Sequence, residues 1–102
     1  MTTQAERLKR AKELIQDPAH WVQDWYARNE QDRDVNPDSP DAVKFCALGA
    51  LYRNEDHDIH DTLLLTGCST YLYRMSITDA NDHIGHHAVM KIYDRAIQLA
   101  GA

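Results

Sequence analysis

No stretch of this 102-residue chain approaches the roughly 20 consecutive apolar residues that a helical membrane span requires. The first residues are polar and offer no hydrophobic segment suited to secretion, so a cytoplasmic location is expected. Cysteine is scarce. Cys46 and Cys68 are too few for a disulfide scaffold, and neither belongs to a close-spaced zinc pair. Three prolines and four glycines make no flexible linker, and no repeat or low-complexity tract divides the chain, which leaves one domain over residues 1–102. An excess of basic residues is missing too. With 16 acidic against 11 basic side chains, a net charge of -5 argues against direct nucleic-acid binding, which needs a basic face.

What is present is an ordinary apolar share, 43%, enough to bury a core without a metal or disulfide staple and too much for general disorder. Histidine is the one over-represented residue type. Six occur, and five of them fall in two acidic neighbourhoods, His57/His60 and His83/His86/His87.

Apolar spacing places the helices. Thr3 with Glu6 makes a capping box ahead of the stripe Leu8, Ala11, Leu14 and Ile15. Asp17-Pro18 ends that helix and starts a short second one that gathers Trp21, Val22, Trp25 and Tyr26 on one face. Residues 29–38 (NEQDRDVNPD) hold one apolar side chain, Val35, and read as a solvated loop. After Ser39-Pro40-Asp41 comes Phe45-Cys46-Ala47-Leu48-Gly49-Ala50-Leu51-Tyr52, apolar all round. A helix without a polar face is buried, so residues 41–53 are expected to form the central helix. Leu64, Leu65, Cys68, Tyr71, Leu72 and Met75 keep helical spacing, while Thr66, Gly67, Ser69 and Thr70 leave a hairpin or broken helix open across residues 62–76. Ser76 to Asn81 reads as a turn, and Asp82 as the start of a last helix striped by Val89, Ile92, Tyr93, Ala96, Ile97 and Ala100. The expected fold is all-α, a single compact domain of four or five helices around residues 41–53.

The segment Phe45-Cys46-x-x-Gly49-Ala50-Leu51 resembles that of a family of small uncharacterised bacterial and bacteriophage proteins, a domain of unknown function. That family's pattern also has an aspartate-proline turn and a tryptophan, matched by Asp17, Pro18 and Trp21. An Asn-Asp pair follows, matched by Asn81 and Asp82, then a final Ala-Ile-x-x-Ala, matched by Ala96, Ile97 and Ala100. The resemblance implies a bacterial or phage origin and no particular activity. For a phage protein it implies interference with a host defence or regulatory complex. The histidines lie outside the pattern.

Four candidate chemistries follow from the residues. His57 and His60 are three apart, as are His83 and His86, and on a helix each pair would share a face, with Asp58, Asp61, Asp79 and Asp82 as oxygen ligands. Such a site would suit zinc or another divalent metal and a metal-dependent hydrolase, although no HExxH, CxxC or EF-hand spacing supports it. The plainer reading is a solvated surface in which histidines offset aspartates. Cys46 or Cys68 with a histidine and Asn81 or Asp82 would make a nucleophilic site, but an apolar setting raises a thiol pKa and hides it, so both cysteines read as core. Asn81-Asp82 is explained as a helix cap. The aromatic cluster offers interface anchors: Trp21 reads as core, whereas Trp25 and Tyr26, with the acidic Asp32, Asp34 and Asp38, form the expected partner-binding set.

The expected role is therefore non-enzymatic, the binding of another macromolecule by a small cytoplasmic protein. The partner is expected to be a protein, with a homodimer as a further option; no cofactor is expected. The alternative is a divalent-metal protein using His57, His60, His83, His86, Asp61 and Asp82.

Overall fold

In the computed structural model, which describes residues 2–101, the Thr3 hydroxyl accepts the Glu6 N–H and the Glu6 carboxylate accepts the Thr3 N–H. This capping box starts α1 (Gln4–Ile15), which buries Leu8, Ala11 and Ile15. The Asp17 carboxylate accepts the Ala19 N–H, but with Pro18 it starts only a 3-10 turn, Pro18–His20.

The expected second helix over Trp21 to Tyr26 does not form. Trp21 bridges to Phe45, the Val22 N–H donates to the Phe45 carbonyl, and Asp24 takes φ 70°, a left-handed conformation that a right-handed helix cannot carry. Pairing with a distant segment outweighs the local helical spacing. The chain instead enters β1 (Ala27–Arg28), the centre of a three-stranded antiparallel sheet with β2 (Asp34–Val35) and β3 (Lys44–Phe45). Ala27 stands opposite Val35 on one side and Phe45 on the other. Residues 29–38 are thus more than a solvated loop: the Asn29 side chain accepts the N–H groups of Gln31 and Arg33 and closes a hairpin into β2.

The segment expected to be central is buried, as Ala47, Gly49, Ala50 and Leu51 show. Its helix, α2 (Ala47–Tyr52), is shorter than residues 41–53 because Phe45 is drawn into β3 and Cys46 stays extended as the cap, its sulfur accepting the Gly49 N–H at 3.3 Å. Of residues 62–76, 62–73 lie in one helix, α3 (Ile59–Tyr73), begun by an Asp58/Asp61 capping box and ended by Arg74 at φ 59°. Its small polar residues are satisfied locally, Thr70 by the Thr66 carbonyl and Ser69 by that of Met75. The expected turn at Ser76 to Asn81 is α4 (Ile77–His83), capped by Ser76. Asp82 therefore lies inside α4, and the last helix, α5 (His86–Gly101), begins after Gly85 at φ 131°.

The molecule is a mostly helical single domain. α5 packs against α1, α3 and α4 and buries Val89, Ile92, Tyr93 and Ala96, while α2 fills the space between α1 and α4. Among the described residues no helix is long and apolar enough to cross a membrane.

Candidate functional site

Asn81 is 1% exposed on α4, and a buried amide must have its hydrogen bonds met. Its side-chain oxygen accepts the Trp21 Nε1–H at 2.7 Å and the Ala47 N–H at 3.0 Å. Its side-chain nitrogen donates to the Val22 carbonyl at 3.1 Å and to Asp82 Oδ1 at 3.0 Å. One amide thereby ties α4 to the chain after the 3-10 turn and to the first turn of α2. The Ala47 carbonyl in turn accepts the Tyr93 hydroxyl at 2.6 Å. Burial pushes that phenol well above its ordinary pKa, so it remains a donor throughout the neutral range.

The same Asp82 oxygen accepts the Asp24 N–H at 3.0 Å and holds Asp24 in its left-handed conformation. On the far side of this segment the Tyr26 carbonyl accepts the Cys46 N–H at 3.1 Å and lies against Gly49, where an added Cβ would fall 1.7 Å from the carbonyl oxygen. Only glycine admits that approach. Residues 24–26 are therefore fixed at both ends, and Trp25 and Tyr26 stand edge to face, 5.8 Å apart and 44% and 43% exposed.

Beside these rings lies a mainly apolar cavity of about 210 Å³, lined by Leu48 and Thr78 as well as the two aromatics, with Asp24 and Asp82 also contributing. Cys46 reaches it too. Burial pushes the Cys46 thiol above its usual pKa and the charge of Asp82 pushes the same way, so near neutral pH the sulfur is held as a thiol that caps α2. Burial likewise raises the Cys68 thiol, away from this cavity.

From the cavity a row of rings runs outward. Tyr26 lies 5.8 Å from Tyr52 and Tyr52 lies 5.0 Å from His57, reaching a shallow recess beside Pro37 and Asp38. Of the expected partner-binding set, Trp25, Tyr26 and Asp38 thus lie along one aromatic row. Asp32 and Asp34 do not join them: Asp34 pairs with Arg28 at 3.1 Å, and Asp32 faces Lys44 at 3.5 Å, offsetting bases of the sheet itself.

The histidine pairs do not share helices. Asp58 caps α3 between His57 and His60, and the break at Ile84-Gly85 separates His83 on α4 from His86 on α5. His57 Nδ1 lies 2.8 Å from the Asn54 carbonyl, while His86 Nε2 donates to the Ile15 carbonyl at 2.6 Å and its ring meets Trp21 edge to face. Asp61 is engaged by Arg7 through two hydrogen bonds, and one oxygen of Asp82 holds Asp24 and Asn81. Among the described residues no three or more histidine, cysteine, aspartate or glutamate side chains are grouped to hold a metal ion.

Sequence reasoning missed Asn81 as the organiser of the site and read Asn81-Asp82 as a helix start. Its partners lie 34, 59 and 60 residues away, beyond any local signal. Trp21, Cys46, Gly49, Asn81 and Asp82, which are scattered in the sequence and on which the resemblance was read, meet here. No curated protein of similar sequence and no matching solved structure was found. Residues 1–99 match DUF6197, a family of unknown function, and the chain belongs to that family.

Proposed function

We propose that the protein acts in the cytoplasm by binding another protein, without catalysis, through the surface formed by Trp25 and Tyr26. The observation that carries this reading is the pair of half-exposed aromatic rings beside an apolar cavity, on a segment fixed at both ends by Asn81-Asp82 and Gly49. Rigid tryptophan and tyrosine anchors beside a pocket are the usual centre of a protein interface. Asp24 and Asp82 favour a partner that presents an apolar side chain flanked by basic ones. The groups nearest to chemistry are already engaged: Cys46 is protonated and caps α2, and Asn81 makes two hydrogen bonds with each of its side-chain atoms. If the chain is of phage origin, the class of partner is a host defence or regulatory complex.

The test is capture from a host lysate by the wild type and by a Trp25→Ala/Tyr26→Ala variant with unchanged helical circular dichroism. One protein retained in near-stoichiometric amount by the wild type and lost with the variant supports the reading. Identical retention by both, or retention of nothing specific, overturns it.

A further inference from the structure

The outer face of α3 carries a row of exposed apolar side chains where a surface helix is ordinarily polar. Inward, α3 buries Leu65 and Cys68. Outward, Ile59, Leu63 and Tyr71 are 65%, 56% and 70% exposed. By contrast α1, seated on the same core, turns Glu6, Lys9, Arg10 and Glu13 to the solvent. Four of the outward residues of α3 follow one i, i+4 ridge, Ile59-Leu63-Gly67-Tyr71, with His60 and Thr70 exposed beside it. Gly67 stands in the middle of the helix, where glycine is a poor helix former, yet a Cβ there would meet nothing within 4 Å. Nothing inside the chain calls for a glycine at that point. A second backbone crossing the ridge would.

Charge selects the occupant. Glu55 and Asp58 stand ahead of α3, Arg74 follows it, and the Arg95 guanidinium lies 4.2 Å from the centre of the Tyr71 ring. Neither arginine has an ion-pair partner among the described residues. A two-fold axis at Gly67 sets the acidic start of one α3 against the arginine-bearing end of its copy, and the reverse, so the face is complementary to itself. Beside the ridge a recess of about 220 Å³ between α3 and α5, lined by Leu64, Cys68 and Leu99, offers a seat for a side chain of the second copy.

We propose that the outer face of α3 is a homodimer interface in which two copies cross antiparallel about Gly67 with their i, i+4 ridges interdigitated, a geometry that gives a crossing angle of about -50°. The surface is separate from the one proposed to bind a partner protein and shares no residue with its cavity. One short helix and its neighbour make a small interface, so the dissociation constant falls on the order of micromolar.

Sedimentation equilibrium of the full chain from about 1 to about 500 µM tests it. The wild type is expected to pass from monomer to dimer, and high salt to weaken the dimer. Leu63→Glu and Gly67→Gln are each expected to weaken it about tenfold or more. Gly67→Gln replaces a poor helix former with a good one in open space, so its loss of dimer cannot be blamed on unfolding. Trp25→Ala is expected to leave dimerisation unchanged. A wild type that stays monomeric throughout overturns the proposal, as does wild-type dimerisation in either α3 variant or loss of the dimer in Trp25→Ala.

Discussion

Two residues set the candidate site, and each makes a separate demand on the chain. Replacing Asn81 with leucine keeps most of the volume but leaves the Trp21 Nε1–H, the Ala47 N–H and the Val22 carbonyl without their partner. Buried groups left unmet cost about 1–3 kcal/mol each, so Asn81→Leu is expected to lower stability by about 3 kcal/mol or more, read from urea unfolding. Gly49→Ala drives a Cβ into the Tyr26 carbonyl and must displace backbone. It is expected to lower the urea midpoint as well, and in whatever fraction folds, to move Tyr26 and reduce partner retention. Trp25→Ala, by contrast, removes a half-exposed ring and is expected to change stability by less than about 1 kcal/mol in the same measurement.

Among the elements, those legible in the sequence are the ones whose signals are local. Thr3 with Glu6 announces α1, and the apolar stripe of α5 needs no distant partner to be read, whereas the weak helix formers of α3 left its form open until its Asp58/Asp61 capping box was seen. The segment from Trp21 to Tyr26 was misread because its helical spacing is real but its backbone is captured by Phe45 and by Asp82. The break at Ile84-Gly85 was equally hidden, since Asp82 is a credible cap until Asn81 is seen to be buried. Asp61 also joins two elements: its buried carboxylate takes Arg7 Nε at 2.6 Å and Arg7 Nη2 at 2.9 Å, fastening α3 to α1. Burial alone would raise its pKa, but the guanidinium and the Asp58 N–H hold it below the ordinary carboxylate value. A group whose pKa is depressed by folding adds stability above its unfolded pKa and loses it as pH falls through the folded one. Wild-type stability is therefore expected to fall on acidification below about pH 4 more steeply than that of Asp61→Asn. At neutral pH that variant is expected to be weaker by about 3 kcal/mol, since it leaves Arg7 facing an uncharged amide. Urea unfolding across a pH series checks both.

For the molecule as a whole, the helical class and the burial of Ala47, Gly49, Ala50 and Leu51 were legible in composition and pattern, because the hydrophobic effect depends on how much apolar surface is hidden and not on which pairs hide it. The candidate site was legible only in part. Trp25 and Tyr26 could be singled out as the proposed anchors from residue type alone, whereas the cavity beside them needs α2, α4 and the strand-entry segment brought together. The histidine excess, the most conspicuous feature of the composition, dissolves into separate places along the fold. This cavity and its two rings are proposed as a docking site on a segment fixed at both ends. Thr78 lines the cavity from the exposed first turn of α4, so Thr78→Trp fills the space without touching the core. Quantitative capture by wild type and Thr78→Trp, at matched thermal stability, tests the claim most directly. The filled variant is expected to lose the partner that the wild type retains; equal retention by the two would rule the docking site out.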